Sequence, residues 1–215
     1  MAGIKTFDPE DALEKAMLLF WSRGYDAVAI ADLEEATGLN RSSLYNAFGP
    51  KDEIYREALT RYSSRVLRTV LPPLEQSDLA QAVGEMMRGY RQFLQNPHSP
   101  GGCLMALASY ETGPAGVVAA SVLQDTIMAA RRAVTARFET EVQANRITAE
   151  HAQDLVSLTL STLSGIATLS RLKAPDRDFD LLIGALSRAI AEKTIEATKA
   201  PRLDVAREAP GTSGK

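Results

Sequence analysis

The chain has 215 residues, 45% of them hydrophobic and 24% charged, with a formal net charge of −3. That balance suits a soluble globular protein of one large domain or two smaller ones, and it excludes a nucleic-acid binder that works by bulk positive charge. Only 6% of residues are aromatic, alanine, leucine and glutamate are frequent, and no run alternates at period two, so helices are expected throughout and strands are not.

In chain order, Asp8-Pro9-Glu10-Asp11 starts a first helix. Asp8 is the cap, Pro9 suits the first helical position, and the acids favour the positive end of the helix dipole. Leu13, Ala16, Met17 and Phe20 form its apolar face, and Gly24 stops it. Next come two short helices around a tight turn. Ile30, Leu33 and Ala36 share one face of the first. Gly38 ends it, because glycine reaches the left-handed conformation without steric cost. Leu39 buries the turn, and Asn40 caps the second short helix. Leu44 and Phe48 face inward at a spacing of four. Arg41, Ser42, Ser43 and Asn46 are left outward with Tyr45 at the edge: short, polar, rich in donors and free of carboxylates. A helix with such a face in its first turns suits the major groove of DNA.

Pro50 suits the first turn of a longer helix whose stripe is Ile54, Tyr55, Ala58, Leu59 and Tyr62, ending near Leu71 before Pro72-Pro73. Its outward Arg56, Arg61, Arg65 and Arg68 read as a solvated face. Further helices are expected over 79–94, 103–111, 115–144, 149–172 and 178–198, with a loop over 96–102 and Gly113-Pro114 closing the short helix over 103–111. Thr148 is a cap, and the tail after Pro201 is expected to be disordered. The expected organisation is all-α: a reading unit over 1–50, a connecting helix over 51–71, a larger helical unit over 72–200 and a tail over 201–215.

The ordered set Leu19-Phe20, Gly24-Tyr25, Ile30-Ala31-Asp32-Leu33, Gly38-Leu39-Asn40, Ser43-Leu44-Tyr45, Phe48 and Lys51 resembles the DNA-binding domain of TetR/AcrR-family transcriptional regulators over about residues 7–62. The resemblance implies a homodimer that binds a palindromic operator in double-stranded DNA, usually as a repressor, and that responds to a small molecule held in its larger domain. By position, Tyr45 and Lys51 match backbone-contacting residues of the family, and Arg41, Ser42 and Asn46 fall where members read bases or phosphates. With Ser43, these make the candidate DNA-binding set. The chain departs from the family at Ala29, where Thr or Ser often caps, and at Pro50, where Ser or Asp often does.

Residues 1–71 hold 9 Lys and Arg against 11 Asp and Glu. Affinity for DNA must then come from local contacts, since a few placed cations and backbone N–H groups suffice to hold phosphates. Lys51, at a helix N-terminus, has its charge opposed by the local dipole, a cost that a nearby phosphate offsets.

In the larger unit, Leu155, Leu158, Leu163, Ile166 and Leu169, among the small Ser161, Ser164, Gly165 and Ala167, are expected to pair subunits together with Leu182, Ile183, Leu186 and Ile190. The bland alternative packs these faces inside one subunit. Met86, Met87, Tyr90, Phe93, Met105, Tyr110, Leu123, Ile127, Met128 and Ile166 are candidates for an apolar pocket with adaptable walls, which suggests an apolar or aromatic effector. Cys103 follows Pro100-Gly101-Gly102 at a helix start, where a thiol gains reactivity, so an electrophilic effector is a further candidate. The plainer reading is a small residue lining core or pocket.

Cys103 is the single cysteine, which excludes an intrachain disulfide and fits the cytoplasm. The front of the chain holds no apolar core of signal length. The longest nearly apolar stretches, such as 115–123, fall short of the roughly 20 residues of a membrane span, so no membrane partner is expected. His98 and His151 stand apart without metal spacing, and no phosphate loop, dinucleotide motif or nucleophile elbow occurs. Neither an enzyme nor a cofactor is expected. A helical adaptor that binds protein through the hairpin is the other class, distinguished by the absence of salt-dependent DNA binding.

Overall fold

The computed structural model describes residues 7–199, with side chains to Thr194. The tail expected from residue 201 lies outside the described residues. Helix α1 spans Pro9–Arg23, α2 Ile30–Thr37, α3 Arg41–Phe48 and α4 Lys51–Val70. A single 3-10 turn at Pro72–Glu75 leads to α5 at Leu79–Leu94, α6 at Leu104–Ala108, α7 at Gly113–Gln143, α8 at Ala149–Arg171 and α9 at Asp176–Lys199. Among the described residues no strand occurs.

Side-chain chemistry fixes most of these boundaries. The Glu10 N–H donates to Asp8 Oδ1 at 2.9 Å, as a cap requires. Gly38 takes φ +72 at the end of α2, and the Ser43 N–H donates to Asn40 Oδ1 at 2.8 Å at the start of α3. At Ala29 the missing cap is replaced from the other side. Asp32 reaches back, and its Oδ2 accepts from the Ala29 N–H at 2.6 Å, which is half of a capping box. Pro50 stands before α4 rather than in its first turn, and its carbonyl accepts from the Glu53 and Ile54 N–H groups at 2.9 and 3.1 Å.

Further boundaries differ from the sequence reading: α6 ends at Ala108 rather than near 111, and α9 begins at Asp176 rather than 178. The Pro72-Pro73 stop carries one further 3-10 turn that buries Leu74. Gly113-Pro114 opens α7 instead of separating two helices, because proline lacks only an N–H that the first turn leaves unpaired anyway.

Helix α4 has 20 residues and is about 30 Å long at 1.5 Å per residue. It packs on α1 at one end and on α5, α6 and α7 beyond, so it ties the first three helices to the rest. Helices α5, α8 and α9 pack mutually, and α7 lies against α4 and α8. One connected core runs from α1 (Met17, Phe20) through α4 (Tyr55, Leu59) to α9 (Phe179, Ile190).

Two of the four arginines expected on a solvated face of α4, Arg61 and Arg65, are instead held against α1. Arg61 pairs with Glu10 and Glu14, and Arg65 with Glu14, so α4 grips α1 through three ion pairs between two arginines and two glutamates, each set four residues apart on its helix. Arg56 pairs locally with Glu53 at 3.1 Å, and Arg68 remains exposed. The expected dimer stripe is also divided. Leu155, Ile166, Ile183, Leu186 and Ile190 are buried within the chain, Leu163, Leu169 and Leu182 are half-buried, and Leu158 is exposed on α8 with Ser161 and Ser164; Leu181, outside the expected stripe, is exposed on α9. Among the described residues no helix is long and apolar enough to cross a membrane.

Candidate nucleic-acid interface

Helix α3 turns Leu44 and Phe48 into the core. That anchoring leaves Arg41, Ser42, Tyr45 and Asn46 exposed on one side, with Ser43 half-buried at its margin. Tyr45 is 42% exposed. The turn into α3 is braced from both directions. The Arg41 N–H donates to Glu34 Oε1 at 2.6 Å, the Arg41 Nε lies 3.9 Å from Glu34 Oε2, and Asn40 caps Ser43. The resulting face offers a guanidinium, hydroxyls and a carboxamide. These groups pair with guanine or adenine edges and with phosphate oxygens.

Lys51, at the start of α4, is not a freely solvated lysine. Its Nζ sits 3.9 Å from the centroid of the Tyr25 ring, a cation–π contact. Burial pushes its ammonium below the ordinary lysine value, while Asp26, Asp52, Glu111 and Asp32 pull the other way. Tyr25 is itself tied twice. Its hydroxyl donates to Asp52, and its N–H donates to Glu111 Oε1 at 3.0 Å. Burial, then the Asp52 hydrogen bond, pushes the Tyr25 phenol well above the usual range. Tyr25, Asp52 and Glu111 were absent from the sequence-derived site, because Glu111 reaches Tyr25 across 86 positions and no local pattern announces it.

The proposed pocket residues are only partly gathered. Met86, Met87, Tyr90, Cys103, Met105 and Ile166 are buried, and Phe93 and Leu123 are half-buried. Tyr110 and Ile127 are instead 80% and 56% exposed, and Met128 also faces solvent. Tyr110 falls just past the five-residue helix α6, and Ile127 lies on the outer side of α7, so neither meets the others. Cys103 caps α6, its Sγ accepting from the Ala106 N–H at 3.4 Å. Near it, Tyr62 and Tyr90 have phenols pushed well up, chiefly by burial and then by the neighbouring Cys103. The Tyr62 hydroxyl is buried with no hydrogen-bond partner, and its ring packs edge-on against Trp21 and Phe93 at 4.8 and 5.6 Å. Two surface grooves lie elsewhere. One of about 490 Å³ runs between α7 and α8 past Phe138 and Val156, and another of about 460 Å³ lies by Leu71, Pro72 and Arg137.

Comparison with known proteins bears on the whole arrangement. The sequence pattern of "Bacterial regulatory proteins, tetR family" matches residues 12–58, which run from α1 through α3 into α4. The chain is 36% identical over 103 residues to the HTH-type transcriptional repressor ComR of Escherichia coli K12, covering 47% of this chain and 49% of ComR. It is 40% identical over 58 residues to the HTH-type transcriptional repressor BdcR of the same organism, covering 27% of this chain and 29% of BdcR. The matched stretch thus spans about half of ComR and less than a third of BdcR. Among solved structures, a cysteine mutant of the TetR family transcriptional regulator CifR, complexed with 26 bp double-strand operator DNA, superposes with a TM-score of 0.76 at 26% identity, covering 88% of this chain and 98% of that one. With α2 and α3 forming a helix-turn-helix on the matched segment, residues 12–58 form a domain of the tetR family of regulatory proteins, and the helical remainder shares its fold with CifR along nearly all of that chain.

Proposed function

We propose that the chain is a transcriptional repressor that binds a palindromic operator as a homodimer and leaves it when a small effector binds the larger helical unit. The observation that carries this reading is the α3 face: Arg41, Ser42, Tyr45 and Asn46 stand outward together, on a helix anchored by Leu44 and Phe48 and braced by Glu34 and Asn40. Relatives named as repressors, and a structural neighbour complexed with operator DNA, support it. Residues 1–50 would hold the reading unit, 51–71 the connection and 72–200 the effector and dimer surfaces. The protein would act in the cytoplasm.

In this reading Arg41, Ser42, Ser43 and Asn46 meet bases or phosphates, while Tyr45 and Lys51 hold the DNA backbone. The exposed Leu158 and Leu181 with Ser161 and Ser164 supply a close-packing surface for a second copy. The effector is small and apolar or aromatic. It lodges among Met86, Tyr90, Phe93 and Met105, where the unpartnered Tyr62 hydroxyl gains an acceptor. An electrophile acting at Cys103 is the second candidate, favoured by the position of that thiol as the cap of α6.

Selection of bound duplexes from a random pool tests the proposal. Enrichment of an inverted repeat, bound by two copies in sedimentation, is the expected result. A chain that stays monomeric at micromolar concentration and enriches nothing would refute it.

A further inference from the structure

Two hydrogen bonds reach from the ends of α6 to the end of α1. Before α6, the Gly101 carbonyl accepts from Trp21 Nε1 at 3.2 Å. After α6, Glu111 Oε1 accepts from the Tyr25 N–H at 3.0 Å. Trp21 is 5% exposed and stacks on Phe93 at 6.3 Å, so the first of these contacts is built into the core. The second depends on Gly24. At φ +78 its backbone turns the chain so that Tyr25 meets the carboxylate, and a Cβ there would lie 3.4 Å from Glu111 Oε1 in a conformation that other residues rarely adopt.

Tyr25 passes this constraint on. Held by Glu111 at its backbone, it holds Lys51 under its ring and Asp52 by its hydroxyl. Lys51 and Asp52 are the first residues of α4, joined to the end of α3 through Gly49 and Pro50. The carboxylate thus links the α6–α7 junction to the start of α4. Glu111 appears in none of the ion pairs found among the described residues, and the only described hydrogen bond of its carboxylate is to this backbone N–H. Its negative charge, facing Lys51, works against a DNA phosphate at that place.

We propose that Glu111 is a positioning residue for DNA recognition: through its hydrogen bond to the Tyr25 N–H it fixes where Lys51 and α3 stand relative to the rest of the chain. The inference rests on the DNA-binding reading above. The site uses the acceptor, not the charge. Glutamine therefore preserves the function and alanine removes it, whereas a purely electrostatic role would make both variants bind DNA more tightly.

The test uses full-length protein and a duplex that the wild type has selected from a random pool. Affinity is measured at several salt concentrations, alongside acrylamide quenching of Trp21, the single tryptophan, and thermal midpoints. Glu111→Ala should bind about tenfold more weakly, the weight of one ordinary hydrogen bond, with an unchanged salt slope and a more readily quenched Trp21. Glu111→Gln should stay within about twofold of the wild type, since its amide oxygen still accepts. Should the alanine variant fail to fold, Glu111→Asp replaces it: the charge stays, the acceptor is withdrawn, and the same weakening is expected. Wild-type affinity in Glu111→Ala, or equal weakening in Glu111→Ala and Glu111→Gln, overturns the proposal while leaving DNA binding intact. A wild type that selects no duplex overturns the DNA-binding reading and this inference with it.

Discussion

The backbone N–H of Arg41 donates to Glu34 Oε1 at 2.6 Å, so a side chain of α2 caps the first turn of α3. With Gly38 in the left-handed conformation and Asn40 capping Ser43, it fixes the angle between the two helices. Removing it should loosen the turn without emptying any core position. Glu34→Ala is expected to cost about 1 kcal/mol of stability, as loss of a helix cap does, and Glu34→Gln markedly less. Urea unfolding of both variants checks this; equal midpoints for Glu34→Ala and the wild type would contradict it.

The contacts proposed for Lys51 and Tyr45 are of the backbone-holding kind. Lys51→Ala should lower the salt slope of binding to the selected duplex by about one unit, as loss of one phosphate contact requires. Tyr45→Phe should weaken binding while leaving thermal stability near that of the wild type, because the ring is already part-exposed. An unchanged slope for Lys51→Ala in titrations across salt removes that lysine from the interface and leaves its role as a partner of Tyr25.

Acid should destabilise the fold through two carboxylates. Glu141 is 2% exposed. Burial alone would raise its pKa, but hydrogen bonds from Arg146 and Arg137 outweigh this and hold it below 4.5. Arg137 also donates to the Gln76 and Ser77 carbonyls at 3.0 Å, so the cluster fastens α7 to the start of α5. Glu14 behaves likewise, its burial outweighed by Arg65 and Arg61. A carboxylate with a depressed folded pKa contributes stability that is present above the unfolded value and is lost as pH falls through the folded one. Unfolding free energy should therefore decline from about pH 4.5 downward. Glu14→Gln should flatten that decline while lowering stability at pH 7. A variant with the slope of the wild type would show that the α1–α4 pairs carry none of it.

Operator release by electrophiles separates the two effector readings. If Cys103 responds, N-ethylmaleimide should release the selected duplex from the wild type and leave Cys103→Ser bound. Equal responses would end the electrophile reading and favour the apolar effector.

What could be read in advance follows how locally each feature is determined. The caps at Asp8, Asn40 and Thr148 and the stop at Gly38 depend on neighbours a few positions away, and the structure has them where the side chains indicate. The inward pair Leu44 and Phe48 follows from helical spacing alone. Features set by packing between distant helices were not legible. The grip of Arg61 and Arg65 on Glu14 appears only once α4 lies on α1. The outward placement of Tyr110 and Ile127 depends on where α6 ends and how α7 is rotated. Tyr25 stood out only as part of the ordered motif, with no partner indicated, and Glu111, 86 positions away, carries no spacing signal at all.

The most direct measurement is a second selection from the same random pool with Asn46→Ala. If α3 reads bases, the variant should still enrich an inverted repeat, but with preference lost at one position in each half-site and a discrimination there weaker by about 1–3 kcal/mol. Two identical consensus sequences, from wild type and variant, would contradict base reading by Asn46. Repeating the selection with Arg41→Ala and again finding no change would remove α3 as the reading helix.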